Sequence, residues 1–205
     1  REMRVSTRRP PPIPIRYDGG EGLIRIEKDL ASLHSAYAEL LIERYEKEER
    51  KHFTRNQEEN VRIGIIGHRA FHSVLNHWRV PCIYEDPAYE WPVHRTFYDF
   101  VIPAKEKPIR IEVKTVHNRA KFFIVKKSEW GILLSKGVPD YVIVLRHISD
   151  SELKIEGWLP GSEVEKLPPV PSYVCPDAEC YGCSIEMLKP WRDLEPVIRA
   201  RAIEV

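Results

Sequence analysis

An α/β fold is what this 205-residue chain predicts, and three observations predict it. Residues 57–78 repeat apolar side chains at helical spacing, with Ile63, Ile66, Ala70, Phe71, Val74 and Leu75 on one stripe. Strand-like runs follow at 80–85, 96–102 and 109–116. Residues 128–136 then read as a helix with Ser128 as its N-cap, and 140–145, continuously apolar, as a strand covered on both faces. Helix, three strands, helix, strand is therefore the expected core, at about 57–148. Residues 122–125 are a candidate for one more strand.

Flanking segments are simpler. Arg8 and Arg9 lead into Pro10, Pro11, Pro12, Ile13 and Pro14, a polyproline-like run, so 1–22 is taken as a Pro-rich N-terminal arm and 23–205 as a single domain. Residues 23–53 carry Leu30, Leu33, Tyr37, Leu40, Leu41 and Tyr45 at helical spacing and predict one long amphipathic helix ahead of the core. Its charged face is either solvated or a homodimer contact. Within the first core helix, Gly64 and Gly67 each cost about 1 kcal/mol relative to Ala, which calls for a reason such as close packing on the sheet. Residues 184–188 look helical, Pro190 and Trp191 end that turn, and the tail is expected to pack rather than to act. There is no repeat, no apolar run of membrane-spanning length and no secretory signal, so a cytoplasmic protein with no membrane partner is expected.

The chemistry concentrates at Asp99 and at Glu112, Val113 and Lys114. In the run 109–115, Ile109, Ile111, Val113 and Thr115 alternate with Arg110, Glu112 and Lys114, so period-two geometry sets Glu112 and Lys114 side by side on one face. An Asp arriving from the adjacent strand supplies a second carboxylate, and two carboxylates suit a hard divalent cation such as Mg2+.

This constellation resembles the PD-(D/E)xK nuclease superfamily, which includes restriction endonucleases, archaeal Holliday-junction resolvases and CRISPR-associated iron-sulfur exonucleases. The resemblance implies a restriction-endonuclease-like αβββαβ core, here with an added N-terminal helix and a Cys-containing C-terminal extension. It implies Asp99 and Glu112 as ligands of Mg2+ or Mn2+, the Val113 carbonyl as a further oxygen ligand, and Lys114 as the group that orients or activates the attacking water. Tyr98 stands where the family usually has Pro. The helix 57–78 resembles the Gly-rich helix ahead of the sheet in several branches; His68 is its candidate ligand or substrate contact, set against an ordinary structural histidine, and Glu59 is the alternative helix carboxylate, with Glu58 its rival. The implied activity is hydrolysis of DNA phosphodiester bonds, as an endonuclease. Two alternatives stand beside it: a CRISPR-type exonuclease containing an iron-sulfur cluster or zinc, and a nucleic-acid-binding or assembly protein with little turnover.

A net charge of +1 argues against coating nucleic acid by bulk attraction. The stretch from Lys105 to Lys127 is nevertheless strongly basic and carries Phe122 and Phe123. Arg119, Lys121, Lys126 and Lys127 are its candidate phosphate contacts, against the alternative of a Lys-decorated edge strand. Cys175, Cys180 and Cys183 form C-x4-C-x2-C, and Cys82 lies on a predicted strand close ahead of Asp99. Three readings fit: a Cys175–Cys180 disulfide or buried thiols, a Zn2+ site completed from elsewhere, and an iron-sulfur cluster, ranked in that order.

Overall fold

The computed structural model describes residues 12–49, 54–84, 98–176 and 179–203. In chain order the elements are β1 (Ile15–Asp18), β2 (Leu23–Ile26), α1 (Lys28–Glu49), α2 (Arg55–His77), β3 (Ile83–Tyr84), β4 (Phe100–Ile102), β5 (Ile109–His117), β6 (Phe122–Lys126), α3 (Lys127–Leu134), β7 (Tyr141–Ser149), β8 (Glu152–Pro160), β9 (Cys180–Ser184), β10 (Lys189–Pro190) and α4 (Leu194–Arg201). The chain is a mixed α/β protein. Its main sheet runs β1-β2-β8-β7-β5-β4-β3, with β10 also on β8, and β6 pairs with β9 in a separate two-stranded sheet. β5 and β7 are parallel, joined through β6 and α3; the remaining pairs are antiparallel.

β5 and β7 are central, and their alternation divides the core into two layers. Ile109, Ile111 and Val113 of β5, with Ile143 and Leu145 of β7, pack against Ile66, Ala70, Phe71 and Val74 of α2. Val142 and Val144 face the other way, onto Phe123, Val125, Trp130 and Leu133 of β6 and α3. A strand covered on both faces has no polar side to show, which is why 142–145 is uninterrupted apolar sequence. α2 starts at a reciprocal capping box: Thr54 Oγ1 accepts the Gln57 N–H and Gln57 Oε1 accepts the Thr54 N–H. It sits close on β5 at Gly67, where an added Cβ would overlap the Thr115 hydroxyl. Asp140 ties the sheet together at the start of β7, accepting the Arg110 N–H at 3.0 Å and Arg201 Nη2 of α4 at 2.9 Å.

Several boundaries differ from expectation, each for a local reason. Residues 23–53 are not one helix: Gly22, at φ 70, turns the chain under Trp191, and Leu23–Ile26 alternates its burial as a strand before α1 begins. Part of the N-terminal arm, Ile15–Asp18, is the strand that pairs with β2. Residues 1–11 and 50–53 lie outside the described residues, as do Glu85, Thr96 and Phe97 at the expected strand ends. The strand expected from Val80 is delayed because the Val80 N–H closes α2 on the Leu75 carbonyl and Pro81 has no N–H. α3 starts one residue early, with Lys126 at the N-cap position, so Ser128 lies within its first turn and does not cap it. Only Ile185–Met187 of the expected 184–188 helix turns, as a short 3-10 segment. β8 was not expected at all. A bulge opposite Val144 and Leu145 breaks its alternation after Ile155. No described helix is long and apolar enough to cross a membrane.

Candidate active site

The site lies where β4 parts from β5. Their ladder ends at the pair Phe100 and Ile111, and one step further would set Asp99 opposite Glu112. Asp99 is not in the strand but in the bend before it. Beyond that point the Val113 N–H and C=O have no partner strand on this side among the described residues, and side chains take its place. Asp99 Oδ2 accepts the Val113 N–H at 2.7 Å, and His68 Nε2, from α2, lies 3.3 Å from the Val113 oxygen and 3.3 Å from Asp99 Oδ2. Both neighbours of that nitrogen are acceptors, so Nε2 carries the hydrogen.

Glu112 and Lys114 point to the opposite layer, as period-two geometry requires, and form an ion pair at 2.8 Å. Glu112 is a buried charged residue. Burial first, and then the Asp99 carboxylate, push its carboxyl up to about 7. Burial alone would raise Asp99 as well, yet His68 and Lys114 outweigh it and hold Asp99 below its ordinary value. His68 and Lys114 are opposed by burial and raised by the carboxylates they face: Asp99 first for His68, Glu112 first for Lys114. The cluster thus favours an ionised Asp99 and a charged Lys114, and Glu112 is the carboxyl that holds its proton longer as pH rises.

Beside this pair is a recess of about 280 Å³, lined by Glu112, Lys114, Val125, Glu129, Trp130, Ile132 and Leu133. None of these last five was expected from sequence to matter here. An acidic residue in a first helical turn and apolar residues at helical spacing read as ordinary helix, and only the β6–α3 crossover packed over β5 brings them to Lys114.

Of the expected residues, Asp99, Glu112, Val113, Lys114 and His68 come together, and Glu59 does not. Glu59 precedes His68 along α2 by about 13 Å of helix axis. Its carboxylate is held low by Arg62, whose Nη2 is 2.8 Å away and whose Nη1 contacts Asp150 at 2.6 Å. Glu58 is close by, in the cleft between α1 and α2. Arg119 and Lys121 are exposed on the β5–β6 turn, which Arg146 Nη1 holds through the carbonyls of Asn118 at 2.5 Å and Ala120 at 2.9 Å. Lys126 is exposed, but Lys127 is engaged with Glu179 at 3.0 Å and lies over the Tyr181 ring.

Cys175 and Cys180 form a disulfide. Cys183 is buried in the layer beneath β6, and Cys82 packs against the other core layer. Cys180 and Cys183 are three apart on β9 and face opposite ways. In the disulfide form the C-x4-C-x2-C segment has no thiolate pair to offer zinc or a cluster. Among the described residues no group of three or more His, Cys, Asp and Glu is arranged to hold a metal ion.

No family model, curated protein or solved structure matches this chain.

Proposed function

We propose that the protein is a divalent-metal-dependent deoxyribonuclease of the PD-(D/E)xK type, built on a restriction-endonuclease-like core, and that it cuts DNA endonucleolytically. The observation that carries the reading is the convergence of Asp99, Glu112 and Lys114, with His68, where β4 leaves β5. The order α2, β3 to β5, α3, β7, with β5 and β7 parallel, supports it.

The donor chemistry fits Mg2+ or Mn2+. Mg2+ is ordinarily bound through one or two carboxylates, waters and substrate phosphate rather than by a complete protein cage, so two carboxylates and one carbonyl suffice without a third acidic ligand. Asp99, Glu112 and the Val113 carbonyl would hold the ion, and His68, whose Nε2–H faces both the carbonyl and Asp99, orients them. When bound, the ion polarises a phosphate oxygen and lowers the pKa of water. Lys114 keeps its proton and offers an ammonium to charge developing on the phosphoryl group. Val113 fixes the direction of Asp99 through its N–H, and Arg119, Lys121 and Lys126 supply phosphate contacts around the site.

The test is cleavage of closed circular, linear, single-stranded and branched DNA with Mg2+ or Mn2+, using wild type and the variants Asp99→Ala, Glu112→Gln and Lys114→Met. Each variant is expected to lose activity while keeping its circular dichroism. A closed circle is expected to be cut; cleavage restricted to DNA ends would turn the assignment to an exonuclease. Wild-type rates in any two variants, or no cleavage of any form, would overturn the nuclease reading in favour of a nucleic-acid-binding or assembly protein.

A further inference from the structure

The recess beside Glu112 and Lys114 has walls that a phosphate backbone does not need. We infer that it receives the base of one unpaired nucleotide adjacent to the phosphate at Lys114, and hence that the substrate is single-stranded or locally unpaired DNA. This rests on the nuclease reading for its orientation, but the recess is a separate feature with its own chemistry.

Size comes first. At about 280 Å³ the recess lies at the lower end of small-molecule sites, room for a ring system and not for a duplex. Charge comes next. Glu112, Lys114 and Glu129 carry the charge around it and the rest of its lining is apolar, so an anionic phosphate is favoured at the lysine and not against the apolar wall. What enters must be neutral and largely apolar on its faces, and a nucleobase is the part of DNA with that character. Val125, Trp130 and Leu133 form an apolar wall that is already buried, whereas Ile132 is 64% exposed on the same helix. Its aliphatic chain adds little to the core and is free to lie against a base face. The Trp130 indole N–H is buried without a hydrogen-bond partner among the described residues. Glu129 is an acceptor suited to an exocyclic amine.

In a duplex, every base is stacked and paired, and a base reaches a side pocket only after leaving the stack. A recess that opens directly beside the reacting phosphate therefore selects DNA in which that unstacking has already occurred. Contacts of base with side-chain surface tolerate any sequence, because every base has the same kind of face.

Binding and cleavage are read separately. Fluorescence anisotropy in chelator compares a labelled single-stranded oligonucleotide, its duplex and the same strand with abasic sites throughout. The single strand is expected to bind about tenfold more tightly than the abasic strand, and Ile132→Ala to reduce that ratio severalfold while leaving abasic binding unchanged. In parallel, cleavage of a single-stranded circle is compared with a relaxed duplex circle in Mg2+ or Mn2+, and the single-stranded circle is expected to be cut faster. Equal binding of the base-containing and abasic strands, or a ratio unaffected by Ile132→Ala, overturns the recess assignment even if cleavage is robust. Base-dependent binding that Ile132→Ala weakens, with no cleavage, supports the recess and rejects the nuclease reading instead.

Discussion

Asp99 Oδ2 accepts the backbone N–H of Val113 at 2.7 Å, a side chain standing in for the strand that β4 ceases to be. That bond fixes the carboxylate opposite Glu112 before any ligand arrives, and it satisfies a donor that the parting of two strands would otherwise leave unpaired. The same departure opens the Val113 carbonyl to His68. Local backbone geometry and site geometry are therefore one feature, and substitutions here are expected to affect stability and chemistry together.

His68 is the first case. Its Nε2–H serves two acceptors, Val113 O and Asp99 Oδ2. His68→Ala should leave both short of a donor and lower stability by about 1–3 kcal/mol, read as a lower urea midpoint with an unchanged slope. His68→Gln, which keeps an N–H donor, should recover part of the loss. A wild-type midpoint for His68→Ala would show that the histidine does not hold this junction.

The pH dependence of stability in chelator follows from the same cluster. Glu112, with an ordinary value of 4.5, titrates at about 7 when folded. Between those values the folded chain keeps a proton that the unfolded chain has lost, so stability falls as pH rises. His68 is raised from 6.5, and its contribution, complete below 6.5, is likewise lost as pH rises through its folded value. Asp99, lowered from 3.8, contributes above 3.8 and is lost only in stronger acid; Lys114, raised from 10.5, is lost only in strong alkali. The urea midpoint should thus decline from about pH 5 to about pH 8, and Glu112→Gln should flatten that decline. Mg2+ or Mn2+, competing with protons for the site, should raise the midpoint most at the alkaline end. A midpoint that rises across this range in chelator would contradict the assignment of Glu112 as a carboxyl raised by burial and Asp99.

Two glycines of one helix should respond in opposite directions. Nothing lies within 4 Å of a Cβ added at Gly64, so Gly64→Ala should gain about 1 kcal/mol of helix propensity. At Gly67 the same methyl overlaps the Thr115 hydroxyl on β5. Gly67→Ala should be destabilising despite that gain, because α2 must shift away from the strand carrying Glu112 and Lys114. Thermal unfolding of the two variants side by side is the measurement, and equal shifts would remove the close-packing explanation for Gly67.

How much of this was legible in the sequence depended on whether periodicity survives locally. β5, β7 and α2 each face buried layers over most of their length, so their alternation or helical spacing is clear there and their extents were read to within a few residues. Asp99, Glu112 and Lys114 were legible because charge inside an apolar strand run is conspicuous. β8 was hidden by its bulge, and β2 by its brevity and by the helical spacing that continues after it. The recess had no local signature: Val125, Trp130 and Ile132 look like any strand and helix, and their meeting with Lys114 is a consequence of the crossover between two parallel strands. Glu59 illustrates the reverse error, where a suitable residue type on the right helix is spent on Arg62 at the other end.

Among the described residues the candidate phosphate contacts separate into free and occupied cations, and salt dependence should tell them apart. Arg119, Lys121 and Lys126 are exposed, whereas Lys127 is already paired with Glu179 and set over Tyr181. A lysine that neutralises a phosphate releases a counterion, contributing about 0.7 to the slope of log K against log salt for a single strand and about 0.9 for a duplex. Lys121→Gln with Lys126→Gln should therefore lower the slope for single-stranded DNA by about 1.4. Lys127→Gln should change it little, since its charge must first leave Glu179. Anisotropy titrations between about 50 and 200 mM salt provide the slopes. If Lys127→Gln lowers the slope as much as either free lysine does, the Glu179 pair opens on binding; if the double variant leaves the slope unchanged, these lysines decorate a strand edge and do not touch phosphate.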